Sequence, residues 1–248
     1  MHWYLMLAAA GFVAGVVNTI AGGGSFLTLP ALMLFGLDPK IANGTNRVAI
    51  LLSSGAAVAT FQRQGMVDPA MVRRLVPPTI LGVPIGAGLA IYLPGEAFQP
   101  VFGMLFLGMA VLLLLNPKRL LESDRKKELS SKVIWPVFMG IGVYVGFIQA
   151  GMGILLLLAM SFLNTGDLLA SNVIKNWIGF LVTLVAVLLF VATGYVEWAP
   201  GLAMASGNLL GGIAGAKLAI KRGNRLIFAF LIIVMIATGT KLLFAGGF

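Results

Sequence analysis

Apolar runs, most of them long enough to cross a bilayer, alternate with short polar stretches along almost the whole chain. A helix crossing the hydrocarbon core needs about 20 apolar residues. Runs at roughly 45–61, 75–92 and 98–115 in the first half, and roughly 173–192, 199–216 and 226–245 in the second, meet or approach that length. Pro39, Pro69, Pro94, Pro117 and Pro200 fall at or near their ends, where helix punctuation belongs. Ahead of each set of three lies a longer apolar block broken by glycines, at Ala21-Gly22-Gly23-Gly24-Ser25 and at Gln149-Ala150-Gly151-Met152-Gly153. The stretch from Trp3 to Ala21 carries Ala8-Ala9-Ala10, which resembles a signal cleavage site, but no basic segment precedes it. It also has an equivalent in the second half, so it is read as mature protein.

That equivalence is an internal repeat. An offset of 129 residues places Ala21-Gly22-Gly23-Gly24 on Ala150-Gly151-Met152-Gly153, Asp38 on Asp167 and Asn43 on Asn172 without a gap. It also sets Gly65-Met66-Val67-Asp68 against Gly194-Tyr195-Val196-Glu197, and the run starting Leu81-Gly82 against the run starting Leu210-Gly211. The offset holds through polar positions, which apolar composition alone does not produce. Residues 1–116 form the first repeat, 117–132 a charged linker and 133–248 the second.

Charge gives the repeats a direction. Basic residues mark the cytoplasmic side of a membrane protein, so the linker with Lys118, Arg119, Arg125, Lys126, Lys127 and Lys132 is placed inside, along with Arg63, Arg73 and Arg74. Lys217, Lys221, Arg222 and Arg225 also belong inside, which puts the Glu96 and Glu197 turns outside. Both patterns hold only if each glycine-broken block leaves and returns on one side, as two spans or as two re-entrant half-helices. The expected fold is all-α and integral to the membrane: two inverted-topology repeats, each a glycine-broken helix hairpin plus three transmembrane helices. This gives ten helical segments with both termini periplasmic or extracellular.

Composition narrows the function. The chain of 248 residues is 59% hydrophobic and 10% charged, where a soluble domain carries about 25% charged residues; ten spans leave no room for a soluble domain. With no cysteine and only His2, there is no disulfide framework, metal-ligand set, cofactor site or His/Cys dyad, so a metal, redox or enzymatic role is not expected. The net charge of +9 is spread between apolar runs and not gathered on one face, which argues for orientation in the bilayer and against nucleic acid. Gly22-Gly23-Gly24-Ser25 lacks the lysine of a phosphate-binding loop, so ATP-driven transport within the chain is excluded.

Inverted repeats are typical of secondary transporters, in which two halves exchange conformations around a central site. Three consecutive glycines each cost about 1 kcal/mol in a helix, and broken backbone survives in a membrane only when buried in protein or lining a wet cavity. A half-helix starting near Ser25 would offer free N–H groups to an anion. The candidate site therefore includes Asn18, Thr19, Gly22, Gly23, Gly24 and Ser25, with Gln149, Gly151 and Gly153 from the second break. The other reading of these glycines is close helix packing. A second cluster, Asn43, Thr45, Asn46 and Arg47, is matched by Asn172, Lys175 and Asn176. Each opens a span, so its amides either face a ligand or cap a helix. Arg47, at an outer boundary, and Lys175, at an inner one, also read as interfacial anchors. Gly82/Gly86 and Gly211/Gly215 have the spacing of packed membrane helices. Trp3, Tyr4, Tyr92, Trp135, Tyr195 and Trp198 mark an aromatic belt.

At these residues the chain resembles the sulfite exporter TauE/SafE family of membrane transporters. The likeness runs through Asn18-Thr19-x-Ala21-Gly22-Gly23-Gly24-Ser25, Pro30, Ala42-Asn43-Gly44-Thr45-Asn46-Arg47 and Gly65-x-Val67-Asp68, with a looser second copy. It implies movement of a small sulfur-containing anion, such as sulfite or an organosulfonate, across the bacterial inner membrane. Spacing and composition by themselves support a secondary transporter with a polar midplane site, proton or ion coupling and an oligomeric state being left open. An anion channel, or a carrier of the same kind for another small organic anion, is the alternative.

Overall fold

The computed structural model describes residues 2–94, 104, 130–161 and 167–244. Among them are eight helices and no strand: α1 His2–Ile20, α2 Ser25–Leu34, α3 Pro39–Arg63, α4 Pro69–Tyr92, α5 Ser131–Phe147, α6 Met152–Ser161, α7 Leu168–Ala192 and α8 Trp198–Phe244. The expected span over 98–115 apart from Met104, the Glu96 turn and linker residues 117–129 lie outside the described residues. Helices α1, α4 and α7 are long and apolar enough to cross a membrane, and the chain is an all-α membrane protein.

Aspartates start three of the long helices. Asp38 accepts from the backbone N–H of Lys40 at 2.9 Å, Asp68 from Ala70 and Met71, and Asp167 from Leu169 and Ala170. Such caps contribute about 1 kcal/mol each. Prolines occupy the first turn of α3 and α4, where the missing N–H costs no helical bond. Helices α3 and α7 therefore begin several residues before the apolar runs at 45–61 and 173–192, and the Asn43 and Asn172 clusters lie inside them. Capping is thus not what these asparagines do.

The basic stretch from Lys217 to Arg225 is helix and not a loop. Lysine and arginine are good helix formers, and α8 continues through them with Gly223 as its one non-helical point, at φ 61 and ψ −152. The runs at 199–216 and 226–245 are two limbs joined at that kink.

The first glycine-broken block is a hairpin. A Cβ built on Gly24 would lie 2.3 Å from the Ala14 carbonyl oxygen, so the chain turns back along α1. The Phe35 ring, just past the end of α2, meets the rings of Tyr4 and Trp3 at 5.6 and 6.4 Å. With 10 residues, α2 and α6 are each about 15 Å long, half of a hydrocarbon core of about 30 Å.

The bounds of α3 and α7 stand 129 residues apart at both ends, as do the starts of α1 and α5 and of α4 and α8. The helices interlock across that division. In α8, Gly207 faces the backbone of Ala8 and Phe12, Gly211 that of Phe12 and Val16, and Gly215 that of Val16, so α1 and α8 run parallel. Gly82 and Gly86 of α4 press in the same way on Met139 and Val143 of α5, and Gly142 and Gly146 press back on Thr79 and Val83. Small residues at these steps let the backbones touch, which is how membrane helices gain packing without a hydrophobic drive. The outer faces of α1, α4 and α7 expose Leu5, Met6, Phe12, Leu81, Leu89 and Leu188, suited to lipid, and Trp3, Tyr92, Trp135 and Trp198 are also exposed.

Candidate substrate site

The two glycine breaks meet. A Cβ on Gly22 would stand 2.2 Å from Gly153 Cα, and one on Gly153 would stand 2.4 Å from Gly22 Cα. No side chain fits between them, and Gly22, at φ 86, also needs the left-handed conformation that glycine adopts without strain. In the second break Gly151 (φ 70) and Gln149 (φ 56) are both left-handed. For glutamine that conformation is uncommon and is held by its surroundings. Gln149 Nε2 donates to Thr183 Oγ1 on α7, and its Oε1 accepts from Arg47 Nη1 at 3.4 Å. Just beyond the breaks, α2 begins at Ser25 and α6 at Met152; the N–H groups of Phe26, Leu27 and Thr28 bond the carbonyls of Gly23 and Gly24, and those of Ile154 and Leu155 bond the carbonyl of Gly151.

A reciprocal exchange surrounds this centre. Arg47, on α3, donates to the carbonyls of Val145 at 2.9 Å, Gly146 at 2.7 Å and Phe147 at 3.2 Å, the last turn of α5. Its guanidinium carbon lies 4.5 Å from the centroid of the Phe190 ring, and Asn43 Nδ2 adds a bond to the Phe147 carbonyl at 2.8 Å. In the other direction, Lys175 on α7 donates to the carbonyls of Asn18 and Thr19, both at 2.9 Å, at the end of α1. Asn176 Nδ2 joins it on Thr19 at 3.2 Å and also bonds the Asn172 carbonyl at 2.8 Å. The last carbonyls of a helix lack intrahelical donors and carry the negative end of its dipole, so a basic group is favoured there.

The interfacial-anchor reading of Arg47 and Lys175 is therefore wrong. Arg47 is wholly buried and Lys175 is 2% exposed, because the severed ends of α5 and α1 bring acceptors into the interior. No described carboxylate accompanies them: Asp38, Asp68, Asp167 and Glu197 are all exposed. Among the described residues, then, Arg47 and Lys175 are buried against helix-end carbonyls with no carboxylate beside them, and several polar atoms around them have no partner. These are Asn43 Oδ1, Asn46 Oδ1, Arg47 Nε and Asn172 Nδ2. A buried polar group left unpaired costs about 1–3 kcal/mol, which a ligand supplying the missing partner would recover.

The structure brings together most of the residues singled out in the sequence. Asn18, Thr19, Gly22, Gly23, Gly24, Ser25, Asn43, Asn46, Arg47, Gln149, Gly151, Gly153, Asn172, Lys175 and Asn176 are buried around the two breaks. Asn46 Nδ2 reaches Ser25 Oγ at 3.5 Å. Thr45 is turned away: its Oγ1 accepts from the Glu197 N–H at 2.9 Å, in the turn between α7 and α8. Sequence reasoning missed Ser53, Ser54 and Thr183, all buried, with Ser53 Oγ 3.5 Å from Thr19 Oγ1. A signal existed, since Asn43, Asn46/Arg47 and Ser53/Ser54 recur at the three- and four-residue spacing of one helical face, as do Asn172, Lys175/Asn176 and Thr183.

Residues 7–242 match the family described as Sulfite exporter TauE/SafE. A probable membrane transporter protein, ORF9, of Sinorhizobium sp is 29% identical over 243 residues, covering 98% of this chain and 93% of its own. The probable membrane transporter protein YfcA of Escherichia coli is 30% identical over 97% of this chain and 90% of its own. YunE of Bacillus subtilis, likewise a probable membrane transporter protein, is 23% identical over 99% of both chains. No solved structure matches.

Proposed function

The chain belongs to the sulfite exporter TauE/SafE family of multi-pass membrane transporters, and from that premise we propose that it is a secondary transporter for a small sulfur-containing anion of the sulfite or organosulfonate type. The observation that carries the reading is the buried pair Arg47 and Lys175, set beside the unpartnered donors Arg47 Nε and Asn172 Nδ2 with no carboxylate in the described interior. Such an interior repels cations and attracts an anion, and because both basic groups are already engaged by helix-end carbonyls the anion is not held by a dedicated ion pair and release remains possible.

Alternating access follows from the same arrangement. Parallel packing of α1 on α8 and of α5 on α4 supports an inverted orientation of the two halves, because the short α3–α4 turn and the α1–α2 hairpin make α4 run opposite to α1. Each half then holds the broken helix of the other through its own basic residue. Related conformations are available to both halves, and exchanging them opens the centre to each side in turn. Residues 1–116 and 133–248 act as the two moving repeats, the bacterial inner membrane is the site of action, and the termini face the periplasm.

Flux into proteoliposomes tests this. Purified protein should carry radiolabelled sulfite or a short organosulfonate with saturable kinetics and cross-competition within that class, and imposed proton or sodium gradients should reveal the coupling ion. Saturable flux of unrelated anions alone would overturn the substrate, and unsaturable currents would overturn the carrier mechanism.

A further inference from the structure

A cavity of about 610 Å³ lies between the C-terminal half of α3 and the first limb of α8, and its polar wall is made by Thr60, Arg63, Gln64, Lys217 and Lys221. Three of these five residues are cationic, and no acidic residue lines the space. Its inner end, at Ala56 and Ile213, adjoins the point where Gly212 rests against the Ser53 backbone; a Cβ there would be 2.5 Å from the Ser53 carbonyl oxygen. Behind Ser53, the hydroxyl of Thr19 is 3.5 Å away, and the Thr19 carbonyl holds Lys175. One layer of small side chains thus separates a cationic cavity from the meeting point of the breaks.

The matching crossing, 129 residues away, is different. There Leu189, Ala192 and Thr193 of α7 and its end stand where Thr60, Arg63 and Gln64 do, and Gly88 and Tyr92 of α4 replace Lys217 and Lys221. None of those five is charged. The cationic wall is therefore particular to one crossing. Basic residues at helix ends also set membrane orientation, but that role counts charges on a side and does not require three of them around one cavity.

We propose that this cavity is an anion-collecting vestibule that feeds the central cluster from one face of the membrane, with Arg63, Lys217 and Lys221 as its anion-binding residues. The inference rests on the transport reading. Clefts lined by one sign of charge concentrate the opposite ion, and salt screens the effect.

The absence of native cysteine makes a direct test possible. In the full-length protein carrying Thr60→Cys, in phosphatidylcholine liposomes, a thiosulfonate reagent bearing a sulfonate is compared with one bearing a trimethylammonium group. The ratio of their rates should fall about tenfold in Lys217→Gln/Lys221→Gln at low salt, and the difference should vanish near about 1 M salt. Lys→Arg at both positions should retain the preference, and added methanesulfonate, which does not react with thiosulfonates, should slow the sulfonate reagent. Thr193→Cys, at the matching crossing, should show no such preference. An unchanged ratio in the double Gln variant, or an equal preference at Thr193→Cys, overturns the proposal. So does loss of both the preference and the methanesulfonate protection on adding phosphatidylglycerol, which would assign the cavity to a lipid headgroup. In uptake from the cavity's face, the double Gln variant should raise KM about threefold or more at low salt with little change in kcat; a fall in kcat at constant KM also overturns it. Failure of the parent to carry sulfite would break the proposed substrate, and the labelling ratio would still decide the vestibule.

Discussion

The two helix-end clamps do the same work with different parts. At the end of α5 one guanidinium, Arg47, covers three carbonyls and the Gln149 amide oxygen, and Asn43 shares one of those carbonyls. At the end of α1 the load is divided: Lys175 takes two carbonyls, and Asn176 shares one of them. The offset of 129 aligns Arg47 with Asn176 and Asn46 with Lys175, so the basic residue has moved one position along the helix. What the geometry requires is enough donors at a severed helix end. A planar five-donor guanidinium reaches three carbonyls where a point-like ammonium reaches two, and each has an amide beside it.

Arg47→Ala should have the largest effect. It strips donors from a buried helix end, and loss of one partner in a buried polar set of this kind costs about 3 kcal/mol or more; unfolding in detergent or lipid should show it. Lys175→Ala should cost less, about 2 kcal/mol, because it removes two carbonyl bonds where Arg47 makes three and a fourth to Gln149. Lys175→Ala/Asn176→Ala should then approach the Arg47→Ala loss. If Lys175→Ala alone matches Arg47→Ala, the division of labour is wrong.

Affinity for the carried anion separates the asparagines. Asn172 has a free donor, its Nδ2, whereas Asn43 has spent its own on Phe147 and leaves an acceptor free. Asn172→Ala should weaken anion binding by about 2 kcal/mol, whereas Asn43→Ala, whose free atom is an acceptor, should change it far less, read by equilibrium binding on folded protein. Parental affinity in both variants would remove these amides from the site. The smallest perturbation is topological. A cysteine at Glu197 should react with an impermeant thiol reagent from outside intact cells and one at Arg222 should not, with neither change altering stability; external labelling of Arg222→Cys would undo the opposed orientation of the halves.

Much of this was legible in the sequence, and the parts that were not share a cause. Apolar runs locate α3, α4 and α7, aspartate-proline pairs mark the starts of α3 and α4, and consecutive glycines locate the first break. The burial of Arg47 could not be read locally, since its acceptors lie about 100 residues away at a helix end that exists only because the second block is broken. A basic residue at the head of an apolar run looks interfacial without them. Lys217 to Arg225 separates two apolar runs because hydropathy drops there, although helix propensity does not, so the helix that continues through it is not visible in the apolar pattern. Thr45 fell out of the site because successive helical residues turn by about 100°, which sends it away from the face shared by Asn43 and Arg47.

The contact of Gly22 with Gly153 also has an electrical side. In the cycle proposed, solution approaches that contact from alternate faces, so the membrane potential drops across a wall two backbones thick and not across the full hydrocarbon depth. An anion stepping past the glycine pair crosses nearly the whole voltage at once, worth about 2.3 kcal/mol per charge at 100 mV. The thinness of that wall makes a single short step the voltage-sensitive one.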